Sequence, residues 1–254
     1  MKILAIILNT FKEAVRDKIL YTILIFALFL IGGSALLAAL SIGQEAKIIQ
    51  DLGLSCISFF GTLIAIFLGI GLVYKEIEKR TLYALLSKPL SREQFILGKY
   101  LGLSLVLLVN VSIMGLGLFL LARIYLESWP WHLILGLAFI FLELLVITAL
   151  ATLFSSFSTP TLSAIFTLSI FFIGHLSPDL KLFAARFMDP TSRFVIDLLY
   201  YLLPNFRHFH LESSLVHGLA LNGVVLFQAI CYGLLYGIAL LLLAMLIFSR
   251  RDLK

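Results

Sequence analysis

Glu143 is the residue whose position alone demands a chemical explanation. It stands as the single charge in an apolar run over 132–154. In the middle of a bilayer a charged side chain costs about 2.5–3.5 kcal/mol even on the lenient insertion scale. Glu143 must therefore face other protein, carry a proton, or pair. Asn110 and Gln228 fall at broadly similar depth in two other apolar runs and are expected as its hydrogen-bonding partners. Two roles fit: a substrate or gating contact, and a polar clamp between helices. The clamp is the plainer expectation, because neither a cluster of charges nor an interrupted helix accompanies Glu143.

Other reactive side chains are sparse. His132, His175, His208, His210 and His217 all fall outside the apolar runs or at their outer ends. His208-Phe209-His210 is only an i, i+2 pair with no cysteine near it. Interfacial loop histidines are expected, and no metal site. Cys56 and Cys231 lie inside apolar runs without a partner at metal-ligand spacing, and read as small buried apolar residues. The runs contain no HExxH helix and no paired catalytic carboxylates. A phosphate-binding loop needs G-x-x-x-x-G-K-[ST]; here the one Gly-Lys, Gly98-Lys99, is followed by Tyr100 and has Glu93 at the first glycine position. The chain is not expected to be an enzyme or to hold a cofactor.

The elements that position these groups follow from composition. The chain is 61% hydrophobic and 13% charged, against about 25% charged in an ordinary soluble domain. This is an all-α integral membrane protein. No polar stretch reaches the roughly 50 residues of a small soluble domain, so 1–254 forms one transmembrane domain. A helix crosses the hydrocarbon in about 20 residues. Six stretches qualify, at about 19–43, 52–74, 100–122, 132–154, 160–177 and 218–248. The six prolines are expected between spans or at their ends. Residues 1–18 read as an amphipathic helix in the interface, with Ile3, Ile7, Phe11, Ala14 and Val15 on one face. This start is too short in its apolar run to be a cleaved signal peptide and is expected to be retained. Within an outer segment, 178–217, a short apolar helix is expected over about 191–203.

With the N-terminus inside, the inner segments carry 13 Lys and Arg and the outer ones 6. That bias puts both termini on the cytoplasmic side; the expected location is the inner or plasma membrane of a prokaryotic cell. The net charge of +5 therefore reads as topology, with the bilayer as partner and no nucleic acid. Trp129 and Trp131 fall in an outer loop, where an aromatic belt belongs.

The densest charge lies over 75–99, KEIEKRTLYALLSKPLSREQFILGK, with nine of the 33 charged side chains. Runs free of charge flank it on both sides, so it must protrude from the membrane. The stretch 75–87 lacks Gly and Pro and continues the second span as helix. Lys88-Pro89 breaks it. Ser91-Arg92-Glu93-Gln94 then matches a capping box, which starts the third helix before the lipid. Helix, hard turn and capped helix make a stiff protrusion rather than a loose loop.

This stretch resembles the one that follows the second span in ABC transporter permeases of the type-2 exporter class. The likeness rests on Glu76 or Glu78, Thr81, Leu85-Leu86-Ser87, Pro89, Ser91-Arg92 and Gly98-Lys99. It extends to the amphipathic start, the six spans, the SSFSTP loop at 155–160, the outer helical segment and the terminal Ser-Arg-Arg-Asp-Leu. Some relatives of that class serve the maturation of multi-copper enzymes. The resemblance implies a pair of permease subunits, as homodimer or related heterodimer. It also implies two copies of a separate ABC ATPase that carry ATP and Mg. Residues 75–99 would be the coupling helix, with Glu76, Glu78, Lys79, Arg80, Thr81, Ser87, Pro89, Ser91 and Arg92 facing the ATPase. Two alternatives stand beside this exporter reading: a self-contained secondary transporter or channel, and a membrane scaffold that anchors a partner without transport.

Overall fold

The computed structural model describes residues 2–41, 43–78, 91–126, 129–187, 189–210 and 223–250. Among the described residues there are eight α-helices, one 3-10 turn and no strand. The helices are α1 (Lys2–Val15), α2 (Lys18–Ala38), α3 (Glu45–Glu78), α4 (Arg92–Tyr125), α5 (His132–Phe157), α6 (Pro160–Phe187), α7 (Pro190–Leu202) and α8 (Gly223–Arg250). Six of them, α2 to α6 and α8, are long and apolar enough to cross a membrane. We call the end of the bundle that carries α1 basal and the opposite end apical.

Burial separates the six, with α4 intermediate. Helices α3 and α5 are mostly enclosed, whereas α2, α6 and α8 leave most of their surface open. That open surface is apolar, with Phe29, Leu36, Phe172, Leu235 and Leu246 more than half exposed. Hydrocarbon solvates such a surface at no penalty, so no aqueous burial is needed to hold it. Close helix contact does the holding instead. A Cβ on Gly61 would lie 2.7 Å from Leu144, one on Gly69 2.9 Å from the Ala151 Cβ, and one on Gly115 2.5 Å from Leu137.

At the apical end, His132 Nε2 meets Gln50 Oε1 at 2.8 Å and ties the start of α5 to the start of α3. Trp129 and Trp131 pack on Phe119, and the Arg123 guanidinium lies 5.1 Å from the Trp129 ring centroid. Asp17, in extended backbone conformation between α1 and α2, caps α2 by accepting from Ile19 N–H.

Two sequence expectations are corrected in α6. Pro178 lies inside this helix rather than between spans. Its missing N–H would leave the Gly174 carbonyl without its helical donor, and the Ser177 hydroxyl supplies one at 3.1 Å. The helix therefore continues to Phe187, ten residues past the expected end of the fifth span. His175 consequently sits well within α6, not at the outer end of a span. The short helix expected over 191–203 is present as α7, capped by the Asp189 side chain, which accepts from Ser192 N–H. Helix α7 folds back antiparallel along α6: Lys181 reaches Tyr201 Oη at 3.2 Å, and Arg207 pairs with Asp179 at 2.9 Å.

Candidate functional site: a basal joint and a buried polar cluster

The basal joint grows from the start of α4. Ser91 accepts from Gln94 N–H, and the Gln94 side chain accepts from Ser91 N–H, completing the capping box. Cap formation fixes the entry direction of the chain into α4. One turn later α1 crosses α4 closely. A Cβ on Gly98 would lie 2.7 Å from the Ile6 side chain, and one on Gly102 2.6 Å from the Thr10 Cβ and 3.0 Å from the Ile7 carbonyl. Between these two glycines Lys99 is 1% exposed, with its ammonium 3.5 Å from Glu13 Oε2 and 5.9 Å from the Phe95 ring centroid. An ion this buried needs compensating partners, and a carboxylate and a ring face are among those that meet it.

The same stretch of α4 grips the end of α8. Phe95 stacks on Phe248 at 5.9 Å, and both are at most 5% exposed. Arg92 Nη1 donates to the Ser249 carbonyl at 2.9 Å and to the Phe248 carbonyl at 3.4 Å. Those carbonyls end α8, where a cation also opposes the negative end of the helix dipole. Thus α4 is held against α1 by one face and against α8 by another.

Of the residues expected to face a partner, Lys79, Arg80, Thr81, Ser87 and Pro89 lie outside the described residues. Glu76 and Glu78 close α3 at the basal end. Ser91 is the α4 cap, and the Arg92 guanidinium turns toward its own α8.

The second site lies inside the bundle. Glu143 is 1% exposed on α5, about 16 Å along the helix from His132. Neither expected partner reaches it. Asn110 is buried on α4, with its amide nitrogen on its own Val106 carbonyl at 2.8 Å and its Oδ1 without a hydrogen bond. Gln228 is exposed on α8. The groups that do meet Glu143 are Ser58 of α3, whose hydroxyl donates to Oε2 at 3.4 Å, and His175 of α6, whose Nε2 lies 3.3 Å from Oε1. His210 completes the group. One ligand atom from each of Glu143, His175 and His210 falls within 4.8 Å of the others.

The return segment after α7 brings His210 there. Helix α6 runs 12 residues beyond His175, about 18 Å, and the 13 residues of α7 come back about 20 Å. The chain therefore re-enters at the depth of His175. Glycine makes the room: a Cβ on Gly174 would lie 2.4 Å from the Pro204 carbonyl oxygen, and one on Gly233 2.9 Å from Phe209. Phe206 and Phe209 fill the space, at 0% and 1% exposure. Asn205 N–H donates to Tyr232 Oη at 2.8 Å, and its side-chain amide to Tyr200 Oη at 3.2 Å. His208 turns instead toward Tyr232, 5.1 Å away between ring centroids. The i, i+2 spacing that drew attention in the sequence is therefore not the pairing that forms. No sequence pattern points to His175 with His210, because 35 residues and a helical hairpin separate them.

Six apolar crossings, a capped basal joint and a folded-back apical hairpin define a multi-pass helical membrane protein. The chain belongs to the ABC-2 family: a family model described as ABC-2 family transporter protein matches residues 4–253. It is thus a permease component of an ABC transporter. Among curated proteins, none matches the chain significantly.

Proposed function

We propose that this chain is the transmembrane subunit of an ATP-driven exporter, working beside a second permease copy and two separate ATPase subunits. ATP and Mg reside on those partners. The basal end faces the cytoplasm of a prokaryotic cell, with both termini on that side. Glu76, Glu78, Lys79, Arg80, Thr81, Ser87 and Pro89 contact the ATPase, while Ser91 and Arg92 set the direction of α4.

The observation that carries this reading is the basal joint. A push delivered between α3 and α4 meets a helix capped at its first residue, clamped by α1 and fixed to the end of α8. Such a joint favours rigid-body displacement over local yielding. The bias of basic residues toward the basal end supports the orientation.

The test is co-purification of the tagged chain from its native host, followed by charge reversal. An ATPase is expected to accompany the chain and to be lost with Glu78→Lys. Finding no ATPase with the unmodified chain would refute the exporter reading and favour a self-contained transporter or a scaffold.

A further inference from the structure

We propose that Glu143, His175 and His210 form a binding site for a late first-row divalent cation, with zinc the ion it fits best. The site joins α5, α6 and the return segment, and it lies apart from the basal joint on which the exporter reading rests.

The donor set comes first. One carboxylate oxygen and two imidazole nitrogens suit zinc, which three protein ligands of this kind bind with a fourth position left open. Calcium and magnesium prefer oxygen alone, and monovalent copper prefers sulfur. Geometry comes second. In a tetrahedral site with bonds of about 2.0–2.1 Å, ligand atoms stand about 3.3 Å apart. Glu143 Oε1 and His175 Nε2 already stand at 3.3 Å. The other separations, none above 4.8 Å, close by about 1.5 Å at most, within reach of side-chain rotation.

Two further observations point to a cation rather than to a simple hydrogen bond. Glu143 Oε1 is fully buried and has no hydrogen-bond partner, despite its approach to His175. The contact has the distance of a pair without the alignment of a hydrogen bond. Meanwhile His175 Nδ1 lies 3.0 Å from the Phe171 carbonyl. A proton on Nδ1 satisfies that carbonyl and leaves the Nε2 lone pair directed at the carboxylate. A positive charge must then lie between the two groups, from a metal ion or from a second proton on the imidazole. The surrounding contacts are those that orient metal ligands: a backbone carbonyl on the second imidazole nitrogen, and the Ser58 hydroxyl on the second carboxylate oxygen. The His175 side chain is 24% exposed and His210 is exposed, so neither imidazole is sealed inside the protein. A bound ion would clasp the return segment to the centre of the bundle.

The experiment uses the full chain in lipid nanodiscs, purified with a tag free of histidine and stripped with chelator. Zinc chloride is titrated calorimetrically, and bound metal is counted by mass spectrometry after desalting. X-ray absorption at the zinc edge reads the ligands. About one zinc per chain is expected, with two imidazoles in the absorption spectrum. His210→Ala and Glu143→Gln are each expected to weaken binding at least tenfold, and His208→Ala to leave it unchanged. His210 lies on an exposed position, so its variant keeps the comparison valid even if Glu143→Gln fails to fold. Zinc well below one per chain, unchanged affinity in His210→Ala, or a spectrum without imidazole would each overturn the site and leave a protonated His175–Glu143 pair in its place. None of these results bears on the ATPase co-purification test.

Discussion

Removing the Arg92 guanidinium tests whether the basal joint holds α8 to α4. Its stronger bond, 2.9 Å to the Ser249 carbonyl, is a charge-assisted contact, a class that contributes about 1.5–3 kcal/mol. The second, at 3.4 Å, is long enough to add little. Arg92 is only partly buried, and solvent screening brings the first figure down to about 1 kcal/mol. Its charge at the end of α8 adds about 0.3–1 kcal/mol through the helix dipole. Arg92→Ala is therefore expected to cost about 1–2 kcal/mol, concentrated in the last turn of α8. That is a factor of about 5–30 in the local opening equilibrium. Hydrogen exchange followed by mass spectrometry should show the amides of 247–250 losing protection by this factor, while those of α5 stay unchanged. Arg92→Lys should recover part of the loss, because an ammonium restores the charge but not the planar fork. Unchanged protection in the last turn of α8 with Arg92→Ala would refute the joint as described.

Three further outcomes follow from the same structure. Ser177→Ala should destabilise α6 by about 1 kcal/mol in thermal melts. The effect should largely vanish in the Pro178→Ala background, where a backbone N–H again serves the Gly174 carbonyl; equal losses in both backgrounds would remove Ser177 from that role. Gly102→Val should lower stability by about 1–3 kcal/mol, because Thr10 and the Ile7 carbonyl already occupy the space. Cross-linking of α1 to α4 should report their separation, and unaltered cross-linking would count against the close crossing. Asp189 is held below the usual carboxylate range, first by its hydrogen bond with the Ser192 side chain and then by Ser192 N–H. A depressed pKa in the folded state means stabilisation that is present above the ordinary carboxylate value and lost as pH falls through the lowered one. Exchange at the first turn of α7 should therefore rise at acid pH and stay flat in Asp189→Asn, whose amide oxygen caps without a charge; matching profiles would exclude the cap as the cause.

Much of the architecture was legible from local pattern. The six spans follow from apolar runs long enough to cross hydrocarbon, where every backbone group must be satisfied within the helix. The amphipathic start and the Ser91–Gln94 capping box were readable because both are set by residues three or four apart. The residues of 79–90 expected to face an ATPase lie outside the described residues, so their part in coupling rests on the proposal.

The errors arose where one helix depends on another. Pro178 marks a helix end on local rules, yet the neighbouring Ser177 hydroxyl supplies the missing donor and α6 continues. Asn110 and Gln228 lie at similar depth to Glu143, but depth in a span says nothing of rotation about the helix axis. Asn110 turns to its own backbone and Gln228 outward. The groups that reach Glu143 are Ser58, His175 and His210, and the last arrives only because α7 folds back and Gly174 and Gly233 admit the phenylalanines that anchor the return. The sequence by itself determined that this chain lives in a membrane, where it crosses, and that a capped, charged segment stands between the second and third crossings. Only the tertiary structure decided what Glu143 faces, because that depends on how far each helix is rotated and how a distant hairpin packs, and neither is written in any local run of residues.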